Sequence, residues 1–286
     1  MDMSCKNING IYGFCNENVH NTIEKMGQGR FSDHYIGDDF FDGSEYRIFE
    51  EQDCIQYLQE YIPLHLPQIE YVLNRVIDAS REFFTDTIRI MDLGSGPATV
   101  PLAFCRFFIF SYKHKFKITT VEPSEGFNDM INIFKATNTN EFVEIVKTLK
   151  YKLFEDNFMN DESVFRRGYD WIIMANSISA IGKGRTFKQV NGILGKFIVN
   201  VLRYSEQVIL TIIESSSQQY FYSPTYLSRI GKMGFNDLRI IKTVSSINWF
   251  KINVPEIRYC KFYKTDTDNP KYSPCINSKS LLLELR

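Results

Sequence analysis

Arg89-Ile90-Met91-Asp92-Leu93-Gly94-Ser95-Gly96-Pro97-Ala98-Thr99-Val100-Pro101-Leu102-Ala103 reads as a short apolar strand, a glycine turn and the opening of a helix. Glycine at 94 and 96 permits backbone angles and a close ligand approach that a Cβ would obstruct. The helix that follows turns its free N–H groups toward whatever lies over the turn. In an open α/β sheet, that place is the crevice beyond the carboxyl end of the strand, which suits a nucleotide-like ligand.

A Gly-x-Gly alone marks many ordinary turns, and three features outside it sharpen the reading. Asp92 stands just before the glycines, at the strand's end. A second strand, Lys117-Ile118-Thr119-Thr120-Val121, ends in Glu122. A third apolar run, Tyr169-Asp170-Trp171-Ile172-Ile173-Met174-Ala175-Asn176, follows after room for a helix. An acid at the tip of the second strand is placed to accept hydrogen bonds from a ribose diol. Thr99 stands where the dinucleotide fingerprint G-x-G-x-x-G has its third glycine, which weakens an NAD reading.

At these residues the chain resembles the class I S-adenosylmethionine-dependent methyltransferases. Asp92-Leu93-Gly94-Ser95-Gly96-Pro97 looks like that family's first motif and Val121-Glu122-Pro123-Ser124 like its second. Tyr169 to Asn176 resembles the strand whose end faces the substrate. The resemblance spans about residues 85–286, with the clear motifs within 89–182. It implies a Rossmann-like, doubly wound, mostly parallel seven-stranded α/β sheet with an antiparallel C-terminal edge. It also implies S-adenosyl-L-methionine as cofactor and S-adenosyl-L-homocysteine as product. Asp92, Gly94, Ser95, Gly96, Glu122, Pro123 and Asn176 are the expected cofactor contacts. Asp156, or its neighbour Glu155, would close the adenine end.

Working outward, the core is expected as strand 89–93, helix 97–110, strand 117–122 and helix 125–136. The third strand lies somewhere in 142–154, with Phe142–Val146 and Tyr151–Phe154 both open. Strand 169–175, helix 186–204 and strand 207–213 follow; the last is apolar almost throughout, as a strand buried on both faces should be. Residues 223–233 read as a helix, and 237–244, 256–263 and 279–285 as strands. Upstream, 49–62 reads as a helix that Pro63 and Pro67 interrupt, with Pro67 opening the next one. Ile69, Val72, Leu73, Val76 and Ile77 then form an apolar stripe running to about Glu82. A short helix is expected within Asn7–Asn21. The chain divides on this reading into a helical N-terminal cap, residues 1–82, and a methyltransferase domain, residues 83–286.

Composition bounds the alternatives. Hydrophobic residues at 44% and charged residues at 23% are ordinary for a globular chain of 286 residues. A net charge of −1 gives no field suited to a polyanion, so nucleic acid is not expected as a partner. The charge is unevenly spread: residues 1–62 hold 12 acids against 4 Lys and Arg, and the rest holds 22 against 29. The 6 cysteines show neither CxxC spacing nor a companion His cluster, so free thiols in a reducing, cytoplasmic setting and no bound metal are expected. There is no apolar signal core at the N-terminus and no apolar run long enough to span a membrane.

The function expected is methyl transfer to a small molecule. Asn176, Ser177 and Ser179 follow the fourth strand, where the methyl group would meet its acceptor, and Glu214 ends the next strand. Residues 27–48 read as an aromatic and acidic lid. Within it His34 is the candidate base, and Tyr35, Asp38 and Tyr46 are candidate substrate contacts, a mixture suited to an amine-bearing acceptor. Asn176, Glu214 and His34 are therefore the candidate catalytic residues. RNA or protein methylation, and a degenerate fold serving as a binding or scaffold subunit, are the alternatives. Intact Gly94, Gly96 and Glu122 weigh against the last. The oligomeric state is not legible.

Overall fold

In a computed structural model of the chain, residues 17–27, 54–55, 57–58, 62–107, 114–178, 185–215, 238–251 and 275–285 are described. Their centre is a seven-stranded sheet. The strands are β1 (Thr87–Leu93), β2 (Lys115–Val121), β3 (Val143–Leu149), β4 (Trp171–Ala175), β5 (Gln207–Ser215), β6 (Leu238–Lys251) and β7 (Cys275–Leu285). The order across the sheet is β3-β2-β1-β4-β5-β7-β6. The first five run parallel, and β7 lies antiparallel between β5 and β6.

The helices are α1 (Glu17–Gly27), α2 (Ile62–Ala79), α3 (Thr99–Phe107), α4 (Glu125–Thr137), the short α5 (Asp156–Asn160) and α6 (Glu162–Phe165), and α7 (Phe187–Leu202). Each strand feeds one face and then the other, because successive side chains alternate. Ile88 and Ile90 join a core with α1 to α4, whereas Met91 and Leu93 join the opposite core with α7. Trp171 and Ile173 divide from Ile172 and Met174 in the same way. A sheet buried on both sides explains why β4 and most of β5, at its centre, read as nearly continuous apolar runs. Phe104 of α3 stacks on Phe116 at 4.5 Å and meets the edge of Trp171 at 5.8 Å, which fixes α3 over the centre of the sheet.

The stripe Ile69, Val72, Leu73, Val76 and Ile77 is buried in the first core. Its helix does not start at Pro67, however; α2 begins at Ile62 and runs through both prolines. Pro63 falls in the first turn, where an N–H would have no intrahelical partner, and Pro67 gives up only a bond to the carbonyl of residue 63. A buried ion pair, Arg106 Nε to Glu70 Oε1 at 3.1 Å, ties α3 to α2.

Other boundaries move for local reasons. α3 opens at Thr99 rather than 97, because Ala98 has φ +61°, outside helical backbone. The third strand is Val143–Leu149; Tyr151–Phe154 instead turns, with Phe154 at φ +63°. The N-terminal helix is Glu17–Gly27. α7 starts where Thr186 and Gln189 form a reciprocal capping box, worth roughly 1 kcal/mol. The sites expected as helix 223–233 and strand 256–263 lie outside the described residues.

Arg89 fixes the end of the sheet opposite the glycine turn. Its guanidinium donates to both carboxylate oxygens of Asp170, at 2.7 and 3.1 Å, joining β1 to the start of β4. Among the described residues no helix is long and apolar enough to cross a membrane. The buried Cys105 thiol donates to Asn138 Oδ1 at 3.4 Å, and the buried Cys54 Sγ lies 3.7 Å from Ser124 Oγ.

Candidate functional site

β2 and β4 leave β1 in opposite directions, so the carboxyl end of β1 is the topological switch point of the sheet. A crevice opens there. Asp92, Gly94, Ser95, Gly96, Thr99 and Val100 form its floor, Ala175 and Asn176 one wall, and Tyr57, His65 and Ile69 the other.

The floor is a turn of alternating handedness. Gly94 has φ +72°, Gly96 φ +52° and Ala98 φ +61°. The Gly94 N–H donates to Val121 O at 2.9 Å, which continues the β1–β2 ladder into the turn. The two glycines then differ in what surrounds them. A Cβ on Gly94 would stand 2.8 Å from Ser177 Cβ, so Gly94 is required by packing between the ends of β1 and β4. Among the described residues, a Cβ on Gly96 would meet only Thr99 Oγ1 at 3.8 Å and Tyr57 Cε1 at 3.9 Å, on the side facing the crevice.

Glu122 braces the turn from the end of β2. Its Oε2 accepts from Gly96 N at 2.9 Å and its Oε1 from Ser124 N at 3.0 Å. Ser124 caps α4, with its hydroxyl accepting from Phe127 N. Asn128 Nδ2 donates to Glu122 O at 2.9 Å and Ser124 O at 2.6 Å, closing the network. Burial raises the Glu122 carboxyl to about 7, against the two amide bonds that favour its ionised form.

Asp92 has no such support. Asp92 is 1% exposed, and among the described residues neither carboxylate oxygen has a hydrogen-bond partner. The nearby Ser95 hydroxyl donates instead to the Asp92 backbone carbonyl, at 3.0 Å. Burial raises the Asp92 carboxyl to about 8, against the lowering effect of the neighbouring Ser95 hydroxyl and with a smaller raising effect from the charge of Glu122. A buried acid with unmet acceptors, facing a crevice, is a ready partner for a cationic donor.

Asn176, at φ +53°, turns the chain out of β4 and lines the crevice, its N–H held by Ile213 O at 2.7 Å. Ser177 is buried against Gly94. Glu214 is buried at the end of β5, and its Oε1 accepts from Ile178 N at 2.7 Å, so it fixes the loop that carries Asn176 and Ser177. Pro123 is half-buried beside Glu122. Asp156 is exposed at the first position of α5 and is not among the residues lining the crevice. His34, Tyr35, Asp38, Tyr46 and Ser179 lie outside the described residues.

Tyr57, His65 and Ile69 are crevice residues that the motifs did not point to. Tyr57 OH and His65 Nδ1 are 3.0 Å apart, and the Tyr57 ring sets its edge against Phe127 at 5.2 Å. Burial lowers His65 to about 4, so its imidazole is neutral at pH 7. One signal was available: His65 and Ile69 are four apart and share a helix face, so the apolar stripe extends to His65.

No family model and no curated protein matches the sequence. Solved structures with a similar chain path include "a SAM dependent methyltransferase from Aquifex aeolicus", at 14% identity and TM-score 0.46, covering 82% of this chain and 98% of that one. The 16S rRNA methylase ArmA aligns at 11% identity and TM-score 0.44, over 95% and 100% of the two chains. An O-methyltransferase from Bacillus cereus, in complex with SAH, aligns at 11% identity and TM-score 0.42, over 94% and 91%.

Proposed function

We propose that the chain is a methyltransferase that binds S-adenosyl-L-methionine in the crevice at the end of β1 and transfers its methyl group to a small, amine-bearing molecule. The observation that carries the reading is the pair of buried carboxyls, Asp92 and Glu122, flanking a left-handed glycine turn at the switch point of the sheet. The residues suit the cofactor's chemistry. Asp92 offers two unmet acceptors to a positively charged group. Glu122, held by Gly96 N and Ser124 N, keeps lone pairs for a ribose diol. The open side of Gly96 admits a ligand against the backbone.

When bound, the cofactor supplies an electrophilic methyl group on a good leaving group. The protein's task is then alignment and exclusion of water. Asn176 and Ser177 present the acceptor side, and Glu214 positions their loop through Ile178 N. His65, neutral and held by Tyr57, adds no charge that would oppose a sulfonium. Among the described residues, no Lys or Arg lines the crevice, which favours a cationic or neutral acceptor over an anionic one. From residues 1–82, Tyr57, His65 and Ile69 wall this site while α1 and α2 pack on the sheet, and 27–48, with His34, Tyr35, Asp38 and Tyr46, is its proposed acidic and aromatic lid.

Two measurements test the reading. Calorimetry of the full chain with S-adenosyl-L-methionine must show saturable binding; its absence overturns the cofactor assignment. Methyl transfer is then assayed against amines, phenols, carboxylates and RNA, with the full chain and with a form lacking residues 1–48. Transfer to amines that fails on truncation, while cofactor binding survives, is the expected result. A clear preference for RNA or carboxylates refutes the amine, and full-rate transfer by the truncated form refutes the lid.

A further inference from the structure

Asp92 and Glu122 lie on one turn, but the structure supports only one of them as an anion. Both oxygens of Glu122 accept backbone N–H groups, from Gly96 and Ser124. Both oxygens of Asp92 are buried and, among the described residues, without a partner. Among the described residues, the titratable groups around Asp92 do not compensate its charge. Glu122, at the end of β2, is a like charge; His65, on α2, is neutral at pH 7; Tyr57, the remaining one in the crevice lining, is uncharged. Neither α3 nor the β4 turn contributes a charged residue to the lining; they supply Thr99, Val100, Ala175 and Asn176. An uncompensated buried carboxylate is among the least stable arrangements in a protein interior, and such a group takes up a proton instead.

We propose that Asp92 carries a proton in the ligand-free protein and releases it to solvent when a cationic ligand binds, so that the crevice exchanges one positive charge for another and selects ligands by charge. The inference rests on the cofactor reading above and goes beyond it. Nothing is oxidised or reduced: the Asp92 O–H bond breaks, the proton passes to the buffer, and the carboxylate is left facing the ligand's positive group. A neutral ligand of the same shape offers no reason to ionise Asp92 and moves no proton. Affinity for the cation then rises with pH, by up to tenfold per unit, until Asp92 ionises in the ligand-free protein as well.

The experiment is titration calorimetry of the full chain at pH 7 in phosphate and in Tris, whose ionisation enthalpies differ. The probes are S-adenosyl-L-methionine and the neutral 5′-methylthioadenosine. The dependence of the observed enthalpy on the buffer counts protons released. About one proton is expected with the cation, because an acid raised to about 8 is mostly protonated at pH 7, and near zero with the neutral probe. Release should vanish in Asp92→Asn and, for the parent, fade toward pH 9. Cation binding without proton release overturns the inference and leaves the cofactor reading intact. Release that persists in Asp92→Asn moves the exchange to another group and overturns the assignment. If the cation does not bind at any pH, the cofactor reading falls and takes this inference with it.

Discussion

Replacing Glu122 by glutamine removes one charge and one acceptor from a position with almost no access to water, where Glu122 is 6% exposed. In the parent, Oε2 holds Gly96 N at 2.9 Å and Oε1 holds Ser124 N at 3.0 Å. Glutamine keeps one oxygen, so its amide group must face the second N–H donor to donor. One buried N–H loses its partner, which costs roughly 1–3 kcal/mol, and the surviving bond loses its charge assistance. Relief from burying a charge offsets part of this. The measurement belongs at pH 8, above the value of about 7 to which burial raises this carboxyl. For a domain of this size each kcal/mol moves Tm by roughly 2–4 °C, so the ligand-free variant should melt roughly 2–12 °C lower by differential scanning fluorimetry. Cofactor affinity should fall by about one to two decades, since a charge-assisted contact is worth roughly 1.5–3 kcal/mol. A variant that melts within about a degree of the parent refutes the brace. One that melts low but binds the cofactor like the parent refutes the ribose role and leaves the brace standing.

Four further outcomes follow from the same geometry. Gly94→Ala should destabilise far more than Gly96→Ala in thermal melts, because only the first places a Cβ 2.8 Å from Ser177 Cβ, and Ser177→Gly should recover part of the loss. Gly96→Val should fold, with a strain of about 1–2 kcal/mol from its left-handed backbone, yet bind no cofactor; a folded variant with unchanged affinity removes the crevice as the site. The ligand-free protein should lose stability as pH rises. Burial lifts Asp92 from 3.8 to about 8, so its contribution is complete below the unfolded value and lost on passing through the folded one; fluorimetric Tm should fall between about pH 4 and 8, and Asp92→Asn should flatten the profile. Glu214→Ala should strand Ile178 N–H and lower the methyl-transfer rate while calorimetry shows cofactor affinity changed less than about threefold; equal losses in both would place Glu214 on the cofactor instead.

The elements most legible in the sequence were those whose residues answer to local rules. β4 and most of β5 are apolar on both faces because helices cover both sides, and that leaves nearly unbroken runs to read; β1 and β2 are buried on both faces only past their exposed Arg89, Lys115 and Lys117. The glycine turn announced itself through residues that tolerate positive φ. Ala98 did not, since closure of the turn rather than the side chain imposes its φ of +61°. The third strand stayed ambiguous because half-exposed residues in β3 blur the alternation. Asp92 and Glu122 could be seen as acids at strand ends, but their unequal support could not: it depends on which backbone N–H groups the fold brings within reach. Tyr57 and His65 were missed because they come from about 30 residues upstream of the glycine turn and carry no motif of their own.

The position of β7 has a consequence for the making of the protein. Among the described residues, β6, residues 238–251, pairs only with β7, residues 275–285, and β7 in turn pairs with β5. During synthesis the ribosome therefore delivers β6 well before the strand that must stand between it and the sheet. Until residue 285 has emerged, β5 presents an open edge and β6 lacks its strand partner among the described residues, and both are exposed to strand pairing with other chains. Val208 finds Leu283 only across 75 residues of chain. Closure of this edge should be a late step in folding, and a nascent chain stalled before residue 275 would be left with five parallel strands and an unguarded side.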